Sequence, residues 1–496
     1  MTPPPPAPSS KAAARRRHVL LFPLPYQGHI TLMFRLAGIL HARGFAVTIF
    51  HTQFNAPDTS RHPEYRFVAV PDGLSGPAPV AVNDVVARIL ALNGACEAAF
   101  RERLKGVLEE YSGEDDVACC LIADVHLLSM VEVAKQLGVP TLTLRTGSAA
   151  CFTVFLAYPM LCEKGYLPVQ GMSLDAVNFF DTLHRSIFSH VPWINIGTFR
   201  YADSQLDMPV SELPPHRVRD LVVLDGEDGH VLVQEYLDHA VAAVKASTGL
   251  ILNTFDALER PELARIRREL DIPVFDIGPL HMFSPAAESS LLREDRSCLE
   301  WLDARPPESV IYVSFGSLAS MSARELVETA WGIADSGVPF LWVIRPGLVS
   351  GDGCAHHQMP EGFEAATRGR GTVVAWAPQE EVLRHRAVAG FWTHNGWNST
   401  TESVCAGVPM LCRPYFGDQM GNARYVEHVW RVGFEVGGEL HRGKVKAAIR
   451  RLMTEKDGAE MRERAGELKK AAVECTGKAG SSCLAIDKLV THIMSL

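Results

Sequence analysis

Residues 376–419 read WAPQEEVLRHRAVAGFWTHNGWNSTTESVCAGVPMLCRPYFGDQ, and the reading of the whole chain starts from this stretch. Its middle is an apolar run, Val388 to Trp392, that ends in Thr393-His394-Asn395-Gly396-Trp397-Asn398-Ser399-Thr400-Thr401-Glu402. That order spells a strand, a tight Asn/Gly turn and a helix start carrying small hydroxyl residues. The first N–H groups of a helix have no intrahelical partner, and the helix dipole favours negative charge beside them. A phosphate or diphosphate suits such a place. A second buried run, Val408 to Cys412, leads to the polar trio Gly417-Asp418-Gln419. In an open parallel sheet, ligands bind beyond the carboxyl ends of the strands, so both polar clusters belong to one ligand-binding edge.

The same stretch resembles the nucleotide-sugar signature of plant secondary-product glycosyltransferases, the UDP-sugar-dependent family 1 enzymes. The resemblance rests on the opening Trp376-Ala377-Pro378-Gln379, the central His394-Asn395-Gly396-Trp397-Asn398-Ser399 with Glu402, and the closing Asp418-Gln419. Phe22-Pro23-Leu24-Pro25-Tyr26-Gln27-Gly28-His29 is similar to the cereal benzoxazinoid-type glucosyltransferases. The resemblance implies an α/β chain with the GT-B fold, two Rossmann-like, doubly wound parallel-sheet domains facing a crevice. It implies a donor held by the C-terminal half, an acceptor held by the N-terminal half, and a last helix that crosses back to the N-terminal half.

Length and composition agree with a two-domain enzyme. The chain has 496 residues, 47% hydrophobic and 21% charged, with a formal net charge of −9. Such a length predicts more than one core, and the negative balance argues against a nucleic-acid partner. Eleven cysteines at irregular spacing show neither a CxxC pair nor a finger pattern, as expected of reduced thiols in a cytoplasmic protein. Met1 to Ser10 is proline-rich, and the apolar run Val19 to Phe22 is too short for a signal peptide or membrane span. No stable membrane insertion is expected.

Taken in order, residues 1–17 read as a disordered tail. Residues 18–280 read as the first Rossmann-like domain, the acceptor domain of the resemblance. Its strands are expected over His18 to Phe22, Phe45 to Phe50, Tyr65 to Val70, Ala118 to Ala123, Thr141 to Leu144, Gly249 to Phe255 and Pro273 to Pro279. Helices are expected over Ile30 to Ala42 and Leu127 to Leu137, while Phe152 to Val241, with Phe179, Phe180, Trp193 and Phe199, reads as irregular. Residues 281–296 read as a linker. Residues 297–480 read as the UDP-sugar domain, with strands at Val310, Phe340, Thr372, Ala389, Pro409 and Gly433. Strands alternating with helices predict a parallel sheet covered on both faces. Residues 481–496 read as the final helix, and Met461 to Ala472 as another before it.

The chemistry follows from residue types at strand ends. His29 stands after the first strand on a Gly-containing loop, and an imidazole is the usual general base near neutral pH. Asp124 ends a later strand on the same edge, where a carboxylate can fix the imidazole tautomer and stabilise the imidazolium. The resemblance implies this catalytic dyad at His29 and Asp124. It also departs here: Thr31-Leu32 stands where the family commonly has Asn-Pro, which leaves the shape of the acceptor pocket open. His126 reads as a packing or pocket residue. For the donor, His394 can hydrogen-bond a phosphate, with Asn398 and Ser399 at the helix start and Ser317 on a second strand-end loop. Trp376 offers a flat face to uracil and Ala377 its backbone to the base edge, while Gln379 and Glu402 can hold ribose hydroxyls. The resemblance assigns Trp397, Asp418, Gln419 and Thr146 to the sugar, with Gln rather than His at 419 going with glucose. No acidic metal cluster is visible, and a helix terminus with a histidine can neutralise the leaving group without one. Gly438 to Lys444 has P-loop spacing, but Val445 stands where Ser or Thr is needed, so a turn into a helix is expected.

The expectation is therefore an inverting, metal-independent transfer of glucose from UDP-glucose, a co-substrate rather than a cofactor, to a hydroxyl of a small, largely apolar plant metabolite, hormone or xenobiotic. A UDP-sugar epimerase and a non-catalytic UDP-sugar-binding protein are the alternatives.

Overall fold

The computed structural model describes residues 16–73, 85–111, 116–168, 203–222, 227–284, 290–349 and 359–496. The expectations for residues 1–15 and for Phe179, Phe180, Trp193 and Phe199 lie outside the described residues.

Two parallel sheets organise the molecule. The first contains β1 (Arg16–Phe22), β2 (Ala46–Thr52), β3 (Arg66–Val70), β4 (Asp116–Asp124), β5 (Thr141–Arg145), β6 (Leu250–Leu252) and β7 (Val274–Asp276). Their spatial order is β3-β2-β1-β4-β5-β6-β7. The second contains β8 (Val310–Ser314), β9 (Phe340–Val343), β10 (Gly371–Val374), β11 (Val388–Thr393), β12 (Met410–Cys412) and β13 (Gly433–Glu435), in the order β10-β9-β8-β11-β12-β13. All thirteen expected strands are present, displaced by a residue or a few at their ends. Each sheet reverses its strand order once, between β1 and β4 and between β8 and β11. Those two positions are where an open α/β sheet opens a crevice for a ligand. In register, Phe22 pairs with Ala123 across the first reversal and Thr393 with Ser314 across the second.

Both sheets are buried on both faces, as the unbroken apolar runs demand. Leu20, Phe22, Phe50 and Phe100 pack on one side of the first sheet, and Val19, Leu21, Ile30 and Leu36 on the other. Ala485, Ile486, Leu489 and Ile493 of the final helix, Ser481–Ser495, belong to that second cluster. Arg17 Nη1 reaches the Met494 carbonyl at 2.8 Å. Ala150, Phe255 and Leu258 of the first half share one core with Trp397, Tyr425 and Trp430 of the second. Among the described residues no helix is long and apolar enough to cross a membrane. The ten described cysteines are free, eight of them buried.

Three differences from the sequence reading have physical causes. The first helix starts at Gln27, not at Ile30, so His29 sits in a helical first turn rather than on a loop. Gly28 disguises this start. A Cβ there would stand 3.3 Å from Asn398 Nδ2 of the other half, a tight approach. The segment read as irregular contains helices Ala149–Glu163 and Glu227–Ala246. The first of these buries residues on every side, so it carries no amphipathic period to detect. Finally, Lys456–Thr476 is one long helix, of which only Met461 to Ala472 was expected.

Candidate functional site

At the first reversal, β1 runs into the helix Gln27–Ala42, and the Tyr26 carbonyl accepts from the backbone N–H of both His29 and Ile30. The helix start fixes His29 over the end of β4. Its Nδ1 lies 2.7 Å from Asp124 Oδ2 and 3.0 Å from Thr146 Oγ1. Asp124 is fully buried, and its Oδ1 accepts from the His126 backbone N–H at 3.1 Å. Burial alone would raise the Asp124 carboxyl, but the His29 and His126 interactions outweigh it and hold the pKa below the ordinary value. An ionised Asp124 accepts a hydrogen bond from the Nδ1–H of His29, which leaves Nε2 as the nitrogen with a free lone pair.

His126 stands beside the dyad, its ring centroid 5.6 Å from that of His29. Burial, with Arg145 and His29 adding repulsion against the pull of Asp124, pushes its pKa down to about 3. It is a neutral imidazole between Arg145 Nη1, at 3.0 Å from Nε2, and the Tyr236 hydroxyl at Nδ1. Arg145 also covers the Phe155 ring at 4.3 Å. A Cβ on Gly147 would lie 2.9 Å from Arg145 Nη2 and 3.2 Å from Asp418 Oδ2, so the two charges approach each other past this glycine. Burial raises the Asp418 carboxyl, against the lowering pull of Arg145 and His29.

At the second reversal, β8 ends in Phe315-Gly316-Ser317 and β11 in His394-Asn395-Gly396. Gly316, at φ +70°, and Gly396 flank the His394 ring, and a Cβ at either would come within 2.5 Å of Nε2. Nδ1 of His394 is buried without a hydrogen-bond partner. Burial, then the nearby Arg345, lowers its pKa to about 4, so this imidazole is neutral and keeps one N–H to give. Arg345 itself is buried and holds the Ser317 loop by its backbone: Nε donates to the Gly316 carbonyl at 2.9 Å, and Nη2 to that of Ala319. Helix Trp397–Ala406 begins at Gly396 with no side-chain cap, leaving its first N–H groups open.

The remaining expected donor residues fall into three groups. Gln379 Nε2 donates to Ser399 Oγ at 2.9 Å and to Glu402 Oε2 at 2.8 Å, so these three form one cluster. Trp376 is half-buried beside it, its indole N–H 3.1 Å from Ser290 Oγ, and Ala377 is buried next in the chain. Trp397 and Asn398 are used between the halves: the Trp397 indole N–H donates to the Asn253 carbonyl at 2.8 Å, and Asn398 Nδ2 to the Gly28 carbonyl at 2.9 Å. Gln419 is turned into its own loop, where its Oε1 accepts from the backbone N–H of Tyr415 at 2.9 Å and of Phe416 at 3.3 Å. Asp418 accepts from Asn422 Nδ2 at 3.1 Å. Gly438 to Lys444 leads into helix Arg442–Thr454, and the Lys444 amine folds back on the Gly437 carbonyl. Among the described residues no group of three or more His, Cys, Asp or Glu could hold a metal ion.

Arg145 and Arg345 were missed in the sequence, although Arg145 ends β5 and Arg345 follows the end of β9 by two residues, positions on the ligand edge that mark candidates by themselves.

Residues 286–463 match the protein-family model "UDP-glucoronosyl and UDP-glucosyl transferase". A DIMBOA UDP-glucosyltransferase of Zea mays is 46% identical over 468 residues, covering 92% of this chain and 94% of that protein. A second maize DIMBOA UDP-glucosyltransferase is 45% identical over 464 residues, 92% of each chain. Among solved structures, a UDP-glucose: anthocyanidin 3-O-glucosyltransferase in complex with UDP aligns with a TM-score of 0.77 at 26% identity, over 97% of this chain and 100% of that one.

Proposed function

The chain belongs to the plant family 1 UDP-glycosyltransferases, built on the GT-B fold, and from that premise we propose that it transfers glucose from UDP-glucose to a hydroxyl of a small, largely apolar acceptor, with inversion. His29 removes the acceptor proton through Nε2 while Asp124 stabilises the imidazolium. The acceptor oxygen attacks the anomeric carbon from the face opposite UDP, and one displacement gives a β-glucoside and UDP. Thr146, Trp397, Asp418 and Gln419 are assigned to the sugar. The departing diphosphate is met by the open N–H groups of the helix at Trp397, by Ser317, Asn398 and Ser399, and by the neutral His394. Donors preorganised at the developing charge are a large source of rate, and this set requires no metal ion. Trp376 and Ala377 take the uracil, Gln379 and Glu402 the ribose.

One observation carries the reading. The bond from Asn398 Nδ2 to the Gly28 carbonyl, 2.9 Å, ties the start of the anion-binding helix to the residue before the base. Base and leaving-group cradle are thereby neighbours across the gap. The test is incubation with labelled UDP-glucose, after dialysis against EDTA, with a panel of phenols, hydroxamates and terpenoid alcohols. A product heavier by one hexose supports the reading. Turnover of UDP-glucose without any acceptor would point to an epimerase, and binding without turnover to a sensor.

A further inference from the structure

Arg35 lies in the middle of the helix Gln27–Ala42, between Phe34 and Leu36, and is only 3% exposed. It faces the other half of the molecule. Its Nη2 donates to Oε1 of Glu380 on the helix Gln379–Arg384, and its Nη1 stands 3.6 Å from Oε1 of Glu402 on the helix Trp397–Ala406. Both carboxylates are buried. Glu380 has a second cation, Arg384, at 3.4 Å, whereas the other oxygen of Glu402 takes the Gln379 amide. His281 is also close, buried and held neutral by burial and by the repulsion of Arg35 and Arg384.

Charges taken out of water cost several kcal/mol each unless they are paired and hydrogen-bonded. Two buried carboxylates sharing one site cannot both stay ionised without a cation between them. Burial, then Glu402, still pushes the Glu380 carboxyl up to about 7 against the pull of Arg35 and Arg384, so the pair is crowded; Arg35, supplied by the first half of the chain, is the cation that touches both carboxylates of the second half. A carboxylate that accepts from ribose hydroxyls must be held in a fixed orientation. We propose that Arg35 is a positioning residue of the donor site, reaching across the gap to orient Glu402 as a ribose acceptor. This rests on the assignment of Glu402 to ribose. It makes the grip on the nucleotide depend on how the two halves sit together.

The test compares UDP with 2′,3′-dideoxy-UDP by calorimetry, on the full chain and on Arg35→Gln. The unmodified protein should prefer UDP by about ten-fold or more, the size of hydrogen bonds to a charged group. Arg35→Gln should weaken UDP by about ten-fold and dideoxy-UDP by less than about two-fold, with kcat at saturating donor retained. Adding Glu380→Gln, which removes the competing carboxylate, should restore part of the UDP affinity. Equal losses for both nucleotides, or no loss for either, would overturn the inference. Arg35→Lys keeps a charge at the site; if Arg35→Gln does not fold, the same selective loss, smaller in size, is expected of it and an unselective one refutes the idea. Equal binding of both nucleotides by the unmodified protein would remove the ribose role of Glu402 and the inference with it. Failure of the unmodified protein to bind UDP at all would instead overturn the donor-site reading.

Discussion

The two strand-order reversals carry histidines in opposite electrostatic settings. At β1/β4, His29 leans on a buried Asp124 whose carboxyl is held below its ordinary value. At β8/β11, His394 has no carboxylate, sits between two glycines beside Arg345, and has its pKa lowered to about 4. The same side chain has a buried carboxylate beside it on one side of the gap and none on the other. The proposed roles match that contrast: a ring that meets a diphosphate needs only an N–H, whereas a ring that removes a proton needs a partner for the charge it acquires.

The most damaging way to break this contrast is to remove His29, the proposed proton acceptor. His29→Ala should lower hexose transfer by about 10²–10⁴-fold while UDP binding, read by calorimetry, is unchanged. A variant that retains turnover would remove His29 from the base role. On the opposite side, Gly396→Ala forces a Cβ against the His394 ring. Displacing that ring should lower UDP affinity by about ten-fold, the scale of a hydrogen bond to a charged group, with acceptor binding spared. Trp376→Ala probes the base platform rather than the phosphates. It should weaken UDP by about five-fold, the scale of one aromatic contact, and leave kcat at saturating donor near its original value. The last effect is on stability rather than on binding or turnover. The folded chain keeps His126 and His394 neutral down to about pH 3 and 4 respectively, whereas unfolded histidines take up protons below about pH 6.5. The unfolded state then binds more protons, so stability should fall as pH drops from 6.5 toward 4. Thermal melts across that range check it, and His126→Asn should flatten the slope.

The same contrast explains what the sequence disclosed. The donor side is local. A strand, turn and helix within residues 376–419 bring Gln379, Ser399 and Glu402 together, and short-range patterns suffice to find them. The base side is assembled from three strand ends: residue chemistry and the resemblance pointed to His29 and Asp124, whereas Thr146 was assigned to the sugar and its contact with His29 Nδ1 was not foreseen. Arg35 was silent because its partner Glu380 is 345 positions away, and no local rule pairs them. Helix Ala149–Glu163 was silent for the opposite reason, since a segment apolar on all sides has no polar face to mark its turns.

The docking of Ser481–Ser495 against the first sheet has a mechanical consequence. The polypeptide passes between the two halves twice, once after β7 and once before the last helix. A body held by one tether can swivel in any direction, but a body held by two swings about the line that joins them. A second crossing therefore removes relative rotations of the halves that a single tether would leave free.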